Sequence, residues 1–267
     1  MMAPVEKTTR EKGGKLFPLT SNMAPKPRKR SLKERVVADG FASTVDDAER
    51  LIRAGLVRVG EECIDKPGTA VSDNSIVSVA ERKKYVGRGA LKLEAAFSSF
   101  ALSATGRICA DVGACTGGFT EVLLQQGASR VYAIDVGYGD LDWRIRSDAR
   151  VVVMERTNAR YLESLPDPVS LVSIDVSFIS LRVILPAVCK WLGAGGEVVA
   201  LIKPQFEAPR GEVGEGGIVT DPTVHDRVIE QIIEFLPSVG LKKRGLEVSP
   251  ILGGEGNKEF LLWACLE

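Results

Sequence analysis

The sequence predicts an α/β protein: a Rossmann-like domain on about seven mostly parallel strands, preceded by a small α+β domain. Three observations predict it. Apolar runs of strand length alternate with helical patterns from about residue 89 onward, the arrangement of a parallel sheet covered on both faces. One run, Ile108-Cys-Ala, enters the glycine turn Asp111-Val-Gly-Ala-Cys-Thr-Gly-Gly-Phe-Thr120 and leaves through the apolar-periodic Phe119-Thr-Glu-Val-Leu-Leu. Strand, glycine turn and helix present backbone N–H groups and a helix N-terminus to a ligand. Asp135 closes the next apolar run, 24 residues beyond Asp111, where an acid grips a ribose. Gly113, Gly117 and Gly118 lack the dinucleotide spacing, which disfavours a nicotinamide dehydrogenase.

The 267 residues accommodate one large domain and a small one, and 45% hydrophobic with 26% charged residues suits a globular chain with a real core. Lys+Arg and Asp+Glu both number 35. Residues 1–84 nevertheless hold 17 basic against 12 acidic side chains, so a basic front, suited to a polyanion, precedes an acidic body. Cys63, Cys109, Cys115, Cys189 and Cys265 show no ligand spacing and read as small core residues in a reducing compartment; no metal is expected. No apolar run approaches the roughly 18–20 residues of a membrane span and no signal-peptide core appears, so the expectation is a soluble cytoplasmic chain with no membrane partner.

Taken in order, residues 1–30 are polar and basic, interrupted by Pro18, Pro25 and Pro27, and read as a disordered tail. Residues 31–81 form the small domain. A helix from Leu32 to about Asp39 closes at Gly40, and a second opens on a Thr44–Asp47 capping box with Ala48, Leu51, Ile52 and Ala54 on its apolar face. Alternating Val57 and Val59, turns at Pro67-Gly68, and Ile76 to Val79 complete it as a small sheet. Residues 82–88 are a basic link. The large domain, residues 89–267, starts with a helix to Phe100 that carries Lys92 beside its Leu93 and Phe97 face. A glycine loop from Gly137 enters a helix; Val151 to Met154 and Leu171 to Ile174 are strands, the latter ending at Asp175. Phe178 to Leu192 reads as an apolar helix broken at Pro186, and Glu197 to Ile202 as a strand ending at Lys203. The glycine-rich stretch from Glu207 to Val219 is a candidate mobile lid, Thr220 to Leu236 a helix, and Gly245 to Val248 and Phe260 to Ala264 the last strands.

Ligands of open α/β sheets bind beyond the carboxyl ends of the strands, where Asp135, Asn158, Asp175 and Lys203 converge. Asp175 and Lys203 each follow an apolar strand, so a carboxylate and a lysine meet in a partly dehydrated place, able to take a proton from a hydroxyl. A structural ion pair is the other reading of these residues. His225, the only histidine, begins an amphipathic helix and reads as a surface or capping residue. No Ser-His-Asp set, metal cluster or Walker lysine appears.

Two resemblances sharpen this. Leu32…Gly40-Phe-Ala-Ser…Leu51-Ile…Ala54-Gly55…Val57-Arg-Val-Gly60…Lys66-Pro-Gly-Thr69 resembles the αL-type RNA-binding domain of ribosomal protein S-four, in which the helix pair and following loop lie on RNA. Val45, Asp46 and Asp47 stand where relatives often carry arginine, which shifts the implied RNA contacts to Arg28, Lys29, Arg30, Arg53, Arg58, Arg82 and Lys83. From about Leu32 to the C-terminus, the chain resembles the TlyA (hemolysin-A-like) group of S-adenosylmethionine-dependent rRNA 2′-O-ribose methyltransferases, whose catalytic domain is similar to FtsJ. The blocks that carry it are Gly87-Arg-Gly-Ala-Leu-Lys-Leu93, Asp111 to Thr120, Asp135-Val-Gly-Tyr-Gly139, Asp175-Val-Ser-Phe-Ile-Ser180, Lys203-Pro-Gln-Phe-Glu207 and Gly256-Asn-Lys-Glu-Phe260. The resemblance implies a catalytic tetrad of Lys92, Asp175, Lys203 and Glu259. It implies S-adenosyl-L-methionine lying over Asp111, Gly113, Ala114, Gly117, Gly118 and Phe119, with Asp135 on its ribose, Asn158 near its adenine and Asp175 alongside. It implies rRNA or ribosomal subunits as partners and cytidine as the target. Within the tetrad Lys203 is expected to accept the proton, Asp175 to orient it, Lys92 to steer the ribose oxygen and Glu259 to hold a lysine. Cys115 replaces the serine of related turns, a near-isosteric change. The competing readings are a catalytically inactive RNA-binding assembly factor and a membrane-lytic protein.

Overall fold

The computed structural model describes residues 28–80 and 84–267, and the chain divides between Arg82 and Lys83 into two units. Residues 1–27, and the expected RNA contacts Arg82 and Lys83, lie outside the described residues.

The first unit runs β1 (Lys29–Ser31), α1 (Leu32–Ala38), α2 (Val45–Arg53), β2 (Val57–Val59), β3 (Glu62–Cys63), β4 (Ala70–Ser72) and β5 (Val77–Val79). Each helix starts on its own cap. Ser31 gives both its N–H and its hydroxyl to Glu34, and the Thr44 hydroxyl oxygen accepts the Asp47 N–H at 3.1 Å. Leu32, Val36, Ala48, Ile52 and Val57 are wholly enclosed between the helices and the β3-β2-β5 sheet. The expectation of a disordered tail through residue 30 is corrected: Lys29–Ser31 pairs antiparallel with Ala70–Ser72. The pairing is reinforced by the Asp73 N–H on the Arg28 carbonyl and by the Arg30–Asp73 ion pair, neither of which a local reading anticipates. Residues 28–80 carry nine basic and nine acidic side chains, so the basic excess of the front resides in the stretches that flank this unit.

The second unit runs α3 (Ala90–Ser99), β6 (Ile108–Val112), α4 (Gly118–Gln125), β7 (Arg130–Ile134), α5 (Trp143–Arg146), β8 (Val151–Met154), β9 (Val169–Ile174), α6 (Leu181–Val188), β10 (Leu192–Ile202), α7 (Pro204–Glu207), α8 (Pro222–Phe235), β11 (Leu241–Val248) and β12 (Phe260–Leu266). Its seven strands lie in the order β11-β12-β10-β9-β6-β7-β8, and β12 alone runs against its neighbours. Side chains alternate along the strands. Ala110, Val112, Val172 and Ile174 pack toward Leu185 of α6 and Val228 of α8, while Cys109, Leu171 and Leu201 pack toward Leu93 of α3 and Leu123 of α4. The strand order reverses between β6 and β9, which opens a crevice beyond their carboxyl ends.

Three expectations change. The helix expected to break at Pro186 and reach Leu192 runs through the proline and stops at Val188, and Leu192 already belongs to β10. That strand is longer than its apolar core; its register shifts between Leu192 and Glu197, where Gly195 takes φ +68. Of the five cysteines read as core residues, Cys63 and Cys115 are exposed, Cys63 on the short strand β3, whose two residues are both exposed, and Cys115 in the glycine turn after β6.

Candidate active site

The glycine turn after β6 is shaped by close approach. Gly113 takes φ +86, and a Cβ there would lie 2.3 Å from the Asp175 carbonyl oxygen, so only glycine lets the ends of β6 and β9 come together. Asp135, at the end of β7, accepts the Cys115 N–H at 2.8 Å on one oxygen and the Gly137 N–H at 2.7 Å on the other. Each oxygen keeps a further lone pair, so the carboxylate is aimed and still able to accept. Exposed Asn158 accepts the Arg160 N–H at 3.0 Å, which leaves its own amide donors unused by the backbone turn.

Two clefts flank this turn. The first, about 370 Å³, is lined by Asp135, Val136, Asn158, Ile179 and Ile184 among others. The second, about 350 Å³, is lined by Arg88, Lys92, Ala114, Gly118, Phe119 and Leu252 among others. Gly113, Cys115 and Asp175 line both.

Three adjacent strands deliver polar groups to the same edge. Asp175 follows β9, Lys203 follows β10, and Glu259 precedes β12. Lys203 Nζ lies 2.6 Å from Asp175 Oδ1 and donates to the Ser177 hydroxyl at 3.1 Å. Lys92, on the first turn of α3, lies 2.5 Å from Glu259 Oε2. Gly89, one turn before Lys92, lies close to this carboxylate: a Cβ there would be in ordinary contact with Asp175 Oδ2, at 3.7 Å. Lys92, Lys203 and Glu259 are buried and Asp175 is half-buried. The result is two ion pairs in a dehydrated place, with Lys92 and Asp175 facing the second cleft.

Two of the expected cofactor contacts are corrected. Asp111 is fully enclosed and lines neither cleft. Its side chain turns into the α4 face of the sheet, where it accepts the Thr120 hydroxyl at 2.7 Å and the Ser173 hydroxyl at 3.1 Å, and burial pushes its carboxyl up to about 7. Gly117 also faces inward; a Cβ at its φ of +94 would meet Leu141 at 2.9 Å and Ile145 at 3.1 Å. The stretch from Glu207 to Val219, a candidate lid or a plain surface loop by sequence, is anchored at both ends. Glu207 accepts the Leu181 N–H at 2.7 Å and the Ser180 hydroxyl at 2.6 Å, capping α6, and its burial raises its carboxyl pKa. Asn257 accepts the Val219 N–H and donates to the Gly217 carbonyl, each at 2.9 Å. His225, expected at the surface, is buried, with Nε2 2.8 Å from the Val219 carbonyl and its ring edge-on to Phe260.

The second unit, from residue 85 to residue 265, matches the family model described as FtsJ-like methyltransferase. The chain belongs to the FtsJ-like methyltransferase family. Residues 35–77 of this methyltransferase match the S4 domain model. It is 44% identical over 240 residues to the 16S/23S rRNA (cytidine-2′-O)-methyltransferase TlyA of Mycobacterium tuberculosis, covering 88% of this chain and 90% of that one. It is 40% identical over 233 residues to Hemolysin A of Brachyspira hyodysenteriae, covering 86% and 97%. Among solved structures, one titled "Putative hemolysin from Streptococcus thermophilus" superposes with a TM-score of 0.68 at 45% identity, covering 90% of this chain and 89% of that one. Among the described residues no helix is long and apolar enough to cross a membrane.

Sequence reasoning missed several residues at the methyltransferase site. Phe178 lines the first cleft, is 90% exposed, holds φ +64 and has its ring 5.0 Å from that of Phe206. Arg156, also at positive φ (+53), lays its guanidinium 4.1 Å from the centre of the exposed Tyr138 ring. The motif blocks contain Phe178 and Tyr138, but nothing in their spacing says that either aromatic side chain remains outside the core.

Proposed function

We propose that this methyltransferase uses S-adenosylmethionine to methylate a ribose 2′-hydroxyl in rRNA, at cytidine. The observation that carries the reading is the convergence of Asp175, Lys203 and Glu259 from three neighbouring strands, with Lys92 from α3, beside two clefts that meet at Gly113.

The residues fit the cofactor. Gly113 offers backbone without a side chain, Asp135 is held with free lone pairs for a ribose diol, and Asn158 with Val136 and Ile179 suits a purine. The second cleft, with Gly89 and Ala114, leaves room for the amino-acid end. S-adenosylmethionine, when bound, supplies a methyl group on a sulfonium that is already a good leaving group. The protein therefore has two tasks, to align the acceptor oxygen and to receive its proton. Alignment is the larger, worth roughly 7–11 kcal/mol when well made. Lys203 would have to lose its own proton first, and as the neutral amine it would take up the hydroxyl proton while Asp175 and Ser177 fix its Nζ in place. Glu259 holds Lys92 so that its ammonium, at the wall of the second cleft, steers the ribose oxygen.

The S4-type unit and the exposed Phe178, Tyr138 and Arg156 support an RNA substrate: flat π faces accept bases and guanidinium groups accept phosphates. The names of the M. tuberculosis and other relatives support rRNA and cytidine. An rRNA partner supports a cytoplasmic place of work. Lys203→Ala should abolish transfer of tritiated methyl to rRNA while leaving S-adenosylmethionine affinity nearly intact by calorimetry. Retained transfer would remove Lys203 from the reaction, and mapping 2′-O-methyl groups on rRNA with and without the protein tests the substrate.

A further inference from the structure

Asp111 has no part in the alignment or the proton transfer, yet it is the one charged side chain enclosed beneath the cofactor turn. It lies two residues before Gly113 with no exposed surface, and its donors are neutral, the hydroxyl and backbone N–H of Thr120 on α4 and the hydroxyl of Ser173 on β9. The lysines of the site are held elsewhere, Lys92 by Glu259 and Lys203 by Asp175. Of the other groups around it, Asp175 beyond β9 repels a charge on Asp111. Cys109 on the same strand is neutral, its thiol pushed up to about 12 by burial. Asp135 beyond β7 is bound by the N–H groups of Cys115 and Gly137. A buried carboxylate without a cation is relieved in one of two ways, by taking a proton or by gaining a positive charge nearby.

We propose that Asp111 is a specificity-determining residue that favours the cationic methyl donor over its neutral spent form, by the charge it carries beneath the turn. The proposal rests on the reading that S-adenosylmethionine lies over this turn. Donor and product, S-adenosylhomocysteine, differ by one methyl group and one positive charge. An ionised Asp111 attracts the donor and not the product; a protonated Asp111 makes no such distinction. Because burial holds this carboxyl at about 7, both forms are populated near neutrality. A cation arriving in the cleft lowers the proton affinity of Asp111, so donor binding releases a proton. The preference for donor over product is present above the carboxyl's pKa and is lost as pH falls through it. Such a device helps the spent cofactor leave once its charge has gone.

The test is calorimetry of S-adenosylmethionine and S-adenosylhomocysteine with the full chain and with Asp111→Asn, an uncharged isostere. The wild-type ratio of donor to product affinity should rise roughly three- to tenfold between about pH 6 and about pH 8, one unit of proton affinity being a factor of ten. In Asp111→Asn that rise should vanish. The amino group of each ligand titrates alike against both proteins, so the difference between the proteins isolates Asp111. If Asp111→Asn does not fold, Thr120→Val supplies the second arm: it removes a hydrogen bond to the ionised form and should move the rise to higher pH. A flat ratio in the wild type, or an equal rise in Asp111→Asn, would overturn the proposal. Failure of both ligands to bind at either pH would instead remove the cofactor reading, and this proposal with it.

Discussion

Phe178 shows strain at a functional place. A bulky side chain at φ +64 costs on the order of 1–2 kcal/mol, and at 90% exposure little burial offsets it. Phe178→Asn, a residue tolerant of that backbone, should raise stability in urea by about 1 kcal/mol and lower methyl transfer to rRNA, with cofactor affinity unchanged. Lower stability would show that the packing against Phe206 outweighs the strain. Asp111 makes the opposite point, an unstrained side chain with an electrostatic cost. Its folded carboxyl is raised from 3.8 to about 7, so the folded chain holds a proton that the unfolded chain has lost between those values. Its favourable contribution is therefore full on the acid side and disappears as pH rises through about 7. Asp111→Asn, neutral throughout, should gain on the wild type from about pH 4 to about pH 7, by at most on the order of 4 kcal/mol in urea midpoints converted to free energy. The strand, glycine turn and helix from Ile108 to Gln125 were legible in the sequence. That Asp111 and Gly117 face the core was not, since strand alternation assigns a face only once the packed helix is known.

At the scale of elements, the connection from Glu207 to Val219 gains its anchors from residues distant in sequence. Glycine richness says nothing of its ends, which Glu207 and Asn257 tie to α6 and to the segment carrying Glu259. Asn257→Ala would leave the Val219 N–H and the Gly217 carbonyl without their side-chain partner and should cost roughly 2–4 kcal/mol in denaturant titration. A smaller cost would mean that water replaces the amide. Boundaries behaved similarly. The helices α1, α2, α3 and α8 were legible from caps and apolar periodicity, which are local signals. The early start of β10, the full length of β11 and the strand β1 were not, because each exists through pairing with a strand distant in sequence.

For the whole molecule, charge and chemistry are distributed differently. The S4-type unit is balanced in charge between residues 28 and 80, and several of its basic groups are engaged, Lys33 and Arg53 with Glu49 and Arg35 with Asp39. Arg58 donates to the Glu61 carbonyl and no carboxylate pairs with it among the described residues. Charge reversal of Arg53 and Arg58 should weaken rRNA binding and reduce its salt slope by about one for each phosphate that is no longer neutralised, leaving cofactor affinity unchanged. An unchanged slope in filter binding would move the RNA interface elsewhere. By itself the sequence determined the α/β class and the two-part organisation, because periodicity and turn chemistry are written along the chain, and the resemblance of its motif blocks implies the four residues of the proposed tetrad. Only the tertiary structure decided that Lys92 pairs with Glu259, that Ser177 joins the Lys203–Asp175 pair, that Asp111 is buried, and that Phe178 stands exposed. Those facts depend on which strands become neighbours in the sheet and which helix covers them, and the distances that follow are set across 167 residues of sequence in the first pair and 26 between Ser177 and Lys203.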